Sequence, residues 1–190
     1  MLLMEEKILK EGSVLPGGVL KVGSFLNQRI DTVFLGEIGR EIARLYAGEG
    51  VNKILTVEAS GIAIAAAAAL EMRVPMVFAK KHRTSNVDGS VLSAPVHSFT
   101  HNTDYDIMVS RDYLGPGDRV LLVDDFLANG AALRGLLELA HSAGAEVAGA
   151  AVAIEKSFQG GGERLREAGV RVEALARISA MEDGEITFVR

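Results

Sequence analysis

The 190-residue chain contains no cysteine, which removes disulfide bonds, thiol catalysis and thiolate metal ligands together. Long apolar runs are also missing, since the longest, Gly61 to Leu70, is too short to cross a bilayer as a helix. The first eleven residues hold three acidic side chains and lack the basic-then-apolar layout of a signal peptide. We therefore expect a cytoplasmic protein with no membrane partner.

Positive charge is scarce as well. The chain has 20 lysines and arginines against 25 acidic residues, a net charge of −5. Nucleic-acid binding relies on a broad basic surface, so we expect no nucleic-acid partner and only local recognition of phosphate. The four histidines, His82, His97, His101 and His141, are scattered without the spacing of zinc ligands. The length and a hydrophobic content of 48% predict one domain spanning residues 1–190.

The most informative segment, VLLVDDFLANGAAL, runs from Val120 to Leu133. Its four apolar residues fit a buried strand, and a helical apolar pattern follows, with Gly144 as the predicted stop. Free N–H groups and the positive end of the helix dipole meet at the start of such a helix, which favours an anion. The side chains between strand and helix are small enough to let a phosphate reach those donors: Ala128, Asn129, Gly130, Ala131 and Ala132.

The adjacent carboxylates Asp124 and Asp125 follow the predicted strand directly. Their oxygens can accept hydrogen bonds from two neighbouring hydroxyls, as on a ribose. A phosphate and a diol together describe a ribose 5-phosphate. The alternative, which is about as common, is that the acidic pair is simply exposed to solvent in the turn before a helix. The glycine-rich fingerprints of dinucleotide and P-loop sites are absent from the sequence.

A second strand, small-residue loop and helix precede this unit. Ile54 to Val57 reads as a strand, Ser60 and Gly61 follow it, and Ile62 to Leu70 is a strong helix former. By itself the loop at Ser60 is more simply read as a tight turn. Further buried strands are predicted at Val74 to Ala79 and Val147 to Ile154, and the alternation implies a doubly wound α/β sheet. Both loops would then open on one edge and suit a ligand with phosphates at both ends.

Two other segments frame this sheet. Asp31 is the predicted cap of a helix whose Phe34, Ile38, Ile42 and Leu45 share one stripe, with its end near Gly48 or Gly50. From residue 80 to 104 the chain is polar and opens with Lys80 and Lys81, which predicts a loop or lid with a ribbon pairing 91–100 with 105–111. A basic cluster of this kind is more often merely solvated.

With these residues in view, VLLVDDFLANG resembles the phosphoribosyl pyrophosphate motif of the type I phosphoribosyltransferases, and the likeness to the xanthine branch of the bacterial enzymes runs end to end. Wider relatives carry Thr-Gly and a closing Thr where this chain has Asn129-Gly130 and Ala132. The other matching segments are VLKVGSFLNQRID at Val19 to Asp31, EASGIA at Glu58 to Ala63, VPMVFAKK at Val74 to Lys81, VAIEKSFQ at Val152 to Gln159 and VEALARISAMEDGEITF at Val172 to Phe188.

The resemblance implies an α/β type I phosphoribosyltransferase fold: a mainly parallel twisted sheet flanked by helices. A small hood would come from residues 1–30 and the C-terminal part, with a flexible loop at about 80–104. It implies catalytic roles for Asp124 and Asp125 at the ribose hydroxyls. The implied ligand contacts are Ala128, Asn129, Gly130, Ala131 and Ala132 at the 5′-phosphate, Ser60 and Gly61 at the diphosphate, Lys80 and Lys81 at the loop entrance, and Leu20, Asn27 and Lys156 at the purine.

The implied reaction transfers the phosphoribosyl group from phosphoribosyl pyrophosphate to xanthine, with guanine as a poorer substrate, and releases pyrophosphate. Mg²⁺ would arrive on the diphosphate oxygens, with no direct protein ligand. The resemblance also implies a homodimer. Asn27 and Lys156 have plain alternatives, as a turn residue and a solvated residue after a strand. A different class of function is a regulator that binds phosphoribosyl pyrophosphate without catalysis.

Overall fold

The computed structural model describes residues 2–81, 90–98, 103–182 and 184–190. A π-helical turn covers Gly23–Asn27 and a 3-10 turn covers Ser157–Gln159. The helices are α1 (Leu2–Glu11), α2 (Thr32–Leu45), α3 (Gly61–Met72), α4 (Ala131–Ala143) and α5 (Gly161–Glu167). The strands are β1 (Ser13–Leu15), β2 (Val19–Lys21), β3 (Lys53–Val57), β4 (Met76–Ala79), β5 (Val91–Ser98), β6 (Thr103–Ser110), β7 (Arg119–Leu127), β8 (Glu146–Lys156), β9 (Val172–Glu182) and β10 (Glu185–Phe188).

The central sheet has six strands in the order β10-β9-β8-β7-β3-β4. All neighbouring pairs are parallel except β10 with β9 at one edge, as expected for the predicted fold class. Successive side chains of a strand point to opposite faces, so each inner strand supplies two cores. In β7, Leu121 and Val123 pack in the core with α2 and α3, whereas Val120 and Leu122 pack in the core with α4. Helices therefore cover both faces, which confirms the doubly wound interpretation.

The two predicted strand–loop–helix units are neighbours in the sheet. β3 pairs with β7 in parallel, with Lys53 opposite Val120 and Leu55 opposite Leu122. Because parallel neighbours present their carboxyl ends at the same edge, the loops leading into α3 and α4 lie side by side. The expected placement of both loops on one edge is confirmed.

The sequence predicted the start of α2 and the end of α4. The carboxylate of Asp31 accepts a hydrogen bond from the N–H of Phe34 at 3.1 Å and caps α2, as predicted. The end of α2 at Leu45 comes before the two predicted glycine stops. α4 ends at Ala143, and Gly144 takes the left-handed conformation at φ 76°, as its position predicts. No helix in the described part of the chain is long and apolar enough to cross a membrane.

The predicted ribbon is present as the antiparallel hairpin β5–β6. It pairs Val91 with Ser110 at one end and Ser98 with Thr103 at the other. It packs against α4 at Gly135, where a Cβ would stand only 2.6 Å from a methyl carbon of Val96. Residues 82–89 and 99–102, on which much of the predicted flexible loop falls, lie outside the described residues.

Candidate active site

Asp124 and Asp125 lie within β7, which continues to Leu127 rather than ending before the acidic pair as predicted. The strand is longer because β8 pairs with it as far as Leu127. On its other side, the pairing with β3 reaches only Leu122. One edge of β7 is therefore open beside the carboxylates, although the strand itself goes on.

Asp124 is buried, with 6% of its surface exposed, and lies beside the start of α3. A Cβ on Gly61 would stand 3.0 Å from its Oδ1 atom and overlap the hydroxyl of Thr56. Burial raises the pKa of Asp124 well above its ordinary value, and the charge of Asp125 adds to that rise. The Asp125 N–H donates to Asp124 Oδ1 at 2.9 Å. This hydrogen bond and the charge of Lys81 both act to lower the pKa of Asp124, against the effect of burial. Asp124 is thus a poorly solvated carboxyl that a nearby positive charge would stabilise.

Asp125 contacts the N-terminal part of the chain. The side-chain amide of Asn27 donates to Asp125 Oδ2 at 3.2 Å, which joins residues 98 positions apart. An ionised carboxylate only accepts hydrogen bonds, so this contact turns the NH₂ group of Asn27 toward Asp125. A residue predicted for the purine and one predicted for the ribose are therefore in direct contact.

The predicted phosphate loop connects β7 to α4. Gly130 adopts the left-handed conformation at φ 82°, and α4 begins at Ala131. The side chain of Asn129 accepts the N–H of Ala131 at 3.0 Å, which stabilises the turn. A cleft of about 440 Å³ opens along this loop. It is lined by Gly17, Gly18, Val19, Val96, His97, Tyr105, Phe126, Leu127, Ala128, Asn129, Gly130, Ala131, Ala132, Leu133, Lys156 and Gln159.

The second loop holds Ser60 and Gly61 directly before and at the start of α3. Ser60 makes no side-chain capping bond, and Gly61 is buried against Thr56 and Asp124. The first N–H groups of an α-helix have no acceptor within the helix and can bind an anion. Here the N–H of Ile62 donates to the carbonyl of Ala59 at 3.2 Å, outside the helix. Glu58 joins this loop to the next segment, since its carboxylate accepts the N–H of Lys81 at 2.6 Å.

Lys80 and Lys81 face different surroundings. The ammonium of Lys81 lies 5.2 Å from the ring centroid of Tyr105, on the side of the sheet that holds Asp124. Lys80 pairs through its backbone with Met108 and lines a separate cleft of about 540 Å³ beside β4. Of the two predicted ligand contacts, Lys81 is the one near the acidic pair.

Of the three predicted purine contacts, Lys156 lines the cleft. The Lys156 ammonium donates to the carbonyl of Gly18 at 3.1 Å and lies 5.7 Å from the centroid of Phe126. Burial lowers the pKa of Lys156 below its ordinary value. Leu20 is 7% exposed and packs in the core, whereas its neighbour Val19 lines the cleft.

Sequence reasoning missed Tyr105 and the turn at Gly17 and Gly18, which also line the cleft. The pKa of Tyr105 is raised by burial and by the charge of Asp124. Its position depends on how the hairpin β5–β6 packs, which has no local signal in the sequence. Phe126 could have been found, because it directly follows the acidic pair. Within the described ranges, no group of three or more acidic, histidine or cysteine side chains could hold a metal ion.

A family model described as "Phosphoribosyl transferase domain" matches residues 34–170, which include both loops and the acidic pair. The chain belongs to the phosphoribosyltransferase family. The resemblance inferred from the motifs is thereby confirmed, and the chain is a transferase by family.

Curated relatives of this phosphoribosyltransferase carry the name xanthine phosphoribosyltransferase. The protein from Limosilactobacillus reuteri is 49% identical over 187 residues, covering 98% of each chain. The one from Moorella thermoacetica is 51% identical and covers 98% of this chain and 95% of its own. That from Bacillus cereus is 49% identical over all of this chain and 96% of its own. The predicted likeness to the xanthine branch is confirmed.

Solved structures agree on the fold. The adenine phosphoribosyltransferase of Giardia lamblia superposes with a TM-score of 0.78 at 22% identity, covering 92% of this chain and 97% of that one. The enzyme of Thermoanaerobacter pseudethanolicus gives 0.76 at 21% identity, with 92% and 99% coverage. Identity this low concerns the phosphoribosyltransferase fold alone and carries nothing about the base.

Proposed function

We propose that this phosphoribosyltransferase transfers the 5-phosphoribosyl group of phosphoribosyl pyrophosphate to xanthine, giving xanthosine 5′-monophosphate and pyrophosphate. The observation that carries the proposal is the position of Asp124 and Asp125. Asp124 borders Gly61 in the loop proposed for the diphosphate, and Asp125 contacts Asn27 on the proposed purine side. Both precede the phosphate loop on the same strand. The proposed sites thus follow the order of the groups along the sugar donor.

The reaction needs no nucleophile from the protein. As the bond from C1 to the diphosphate oxygen breaks, positive charge grows on the ribose and negative charge on the leaving group. The carboxyl groups of Asp124 and Asp125 orient the ribose hydroxyls and stabilise the positive charge. Asp124 is buried and poorly solvated, so its ionised form gains from a cation nearby. The helix start at Gly61 offers N–H donors to the leaving diphosphate.

Mg²⁺ fits this donor set as an ion carried by the substrate. The carboxylates of Asp124 and Asp125 are hard oxygen donors of the kind that Mg²⁺ accepts, but the pair alone does not make a closed protein cage. When bound, Mg²⁺ would supply positive charge that stabilises the leaving diphosphate. The protein groups then hold the ribose, the 5′-phosphate and the base in register.

The choice of purine base is proposed to depend on the hydrogen-bond donors of Lys156 and Asn27. Xanthine has an oxygen at position 2, where guanine has an amino group. The Lys156 ammonium has three donors and no acceptor, and one donor is used by Gly18. The remaining donors suit the 2-oxo group and cannot pair with an amino group. Asn27 adds a second donor beside Asp125, and the proposed role of Leu20 is to shape the purine site from the core.

The experiment that tests the proposal is an assay of pyrophosphate release. Purified protein mixed with phosphoribosyl pyrophosphate, Mg²⁺ and xanthine is expected to release pyrophosphate and form xanthosine monophosphate. A protein that only senses phosphoribosyl pyrophosphate would bind it and release none. That outcome would contradict the proposal and favour the regulator.

We further propose that the protein is a homodimer. β4 is the edge strand of the sheet, and Phe78 and Tyr113, 39% and 64% exposed, line a mostly apolar cleft beside it. An edge strand flanked by exposed apolar side chains offers a surface against which a second copy can pack. Light scattering is expected to give twice the mass of one chain, and the mass of a single chain at micromolar concentration would contradict it.

A cytoplasmic location is also proposed, because phosphoribosyl pyrophosphate is too highly charged to cross a bilayer unaided.

A further inference from the structure

One short segment connects the proposed purine side to the phosphate loop. It begins at Lys156, passes through the 3-10 turn Ser157–Gln159 and reaches Gly161 at the start of α5. The Gly161 N–H donates to the carbonyl of Ala128 at 3.1 Å. A Cβ on Gly161 would overlap that carbonyl oxygen and stand 2.6 Å from the nitrogen of Gly130. The absence of a side chain at Gly161 therefore lets the segment touch the phosphate loop directly.

Two arginines meet on the next carbonyl of the phosphate loop. Arg134, in α4, donates from Nη1 to the carbonyl of Asn129 at 2.9 Å. Arg164, in α5, donates from Nη2 to the same carbonyl at 3.1 Å and to the carbonyl of Gln159 at 3.2 Å. Arg164 thus bridges the phosphate loop and the segment that follows Lys156, whereas Arg134 donates to the phosphate loop.

These contacts fix the orientation of two consecutive peptide groups. A trans peptide is planar, and its C=O and N–H point in opposite directions. Holding the carbonyl of Ala128 therefore sets the N–H of Asn129, and holding the carbonyl of Asn129 sets the N–H of Gly130. Both residues line the cleft along the phosphate loop. Donors that are already oriented bind an anion without the cost of ordering them at the moment of binding.

We propose that Arg164 is a positioning residue that orients the phosphate loop and couples it to the purine side through Gln159. Arg134 orients the loop without that coupling. Both act through the backbone and do not touch the substrate. The inference rests on the proposed function, since it assumes that the loop binds the 5′-phosphate and that Lys156 lies at the base.

The test compares Arg164→Met with Arg134→Met, because both remove a donor from the same carbonyl. The Michaelis constants and kcat are measured for phosphoribosyl pyrophosphate and for xanthine, and calorimetry gives the Kd of each ligand without turnover. Both variants are expected to raise the KM and Kd for phosphoribosyl pyrophosphate roughly five- to tenfold, the scale of the net contribution of one ordinary hydrogen bond. Only Arg164→Met is expected to raise the constants for xanthine as well, by about threefold or more on the same scale.

Arg44→Met serves as the matched control, since Arg44 is 68% exposed and pairs with Glu41 on α2. It should leave every constant unchanged. Arg164→Gln, which keeps an amide donor, should recover part of the loss, and it replaces Arg164→Met if that variant fails to fold. Unchanged constants in both variants would overturn the inference, and an effect confined to phosphoribosyl pyrophosphate would overturn the coupling. A wild-type protein that binds both ligands but releases no pyrophosphate would refute the proposed function, while the Kd values still decide the inference.

Discussion

Replacing both carboxyl groups of the acidic pair, by Asp124→Asn with Asp125→Asn, is expected to lower kcat for phosphoribosyl transfer by roughly a hundredfold or more. An amide keeps the size of the side chain but removes the charge that faces the developing cation on the ribose. It also changes the partner of Asn27, which donates to Asp125 at 3.2 Å. Steady-state rates of pyrophosphate release, with thermal unfolding of the same samples, measure the effect.

The fold of this double variant should persist, and the pH dependence gives a reason. Burial raises the pKa of Asp124 in the folded protein above its ordinary value, so the folded state binds a proton more tightly than the unfolded state does. As pH rises from the unfolded pKa through the folded pKa, the ionisation of Asp124 therefore lowers the free energy of unfolding. A neutral Asp124→Asn side chain removes this cost at neutral pH.

Glu138→Gln is a suitable control, because Glu138 is exposed on α4 and lines neither of the two clefts. It should leave kcat unchanged. A double variant of the acidic pair that turns over at the wild-type rate would refute the ribose role of Asp124 and Asp125. Loss of activity accompanied by loss of the cooperative thermal transition would instead assign the pair a structural role.

The second large effect is expected from Glu155→Ala, which should lower the free energy of unfolding by about 2–3 kcal/mol. Glu155 is 1% exposed, and Arg166 donates to its two oxygens at 2.9 and 2.7 Å. Arg177 lies 3.2 Å from the same carboxylate. Removing the carboxylate leaves Arg166 without the acceptor of two hydrogen bonds and Arg177 without its opposite charge. Chemical denaturation measures the change.

Glu146→Ala is the matched control for Glu155→Ala. Glu146 pairs with Arg119 at 2.8 Å, but its side chain is 74% exposed, so the loss should stay within about 0–1 kcal/mol. Equal losses in the two variants would contradict the role assigned to burial at Glu155.

The pH dependence of unfolding adds a second readout for Glu155. Burial alone would raise the pKa of Glu155, but Arg166 and Arg177 outweigh it and hold the pKa below its ordinary value. The stabilisation is therefore present above the unfolded pKa and is lost as pH falls through the lower folded value. Glu155→Ala should remove that part of the acid sensitivity.

The local parts of the site were predictable from the sequence, because each depends on neighbours along the chain. The cap at Asp31, the stop at Gly144 and the small residues around Gly130 all follow from backbone chemistry. The side-by-side loops followed from the alternation of strands and helices, since parallel strands share an edge.

Contacts between distant segments were not predictable from local patterns. Nothing near Asn27 indicates that it reaches Asp125, and nothing near Gly161 indicates its contact with Ala128. The extension of β7 past the acidic pair depends on its pairing with β8. The different surroundings of Lys80 and Lys81 likewise depend on the hairpin beside them. These features arise from tertiary packing, which a single sequence does not display.

The central claim, phosphoribosyl transfer to xanthine at the acidic pair, is tested most directly by kcat/KM for xanthine, guanine and adenine under one set of conditions with Mg²⁺ and phosphoribosyl pyrophosphate. We expect xanthine to be the best acceptor, guanine to react more slowly and adenine to react poorly if at all, because the donors of Lys156 suit a 2-oxo group. Adenine as the best acceptor, or no pyrophosphate release with any base, would contradict the account.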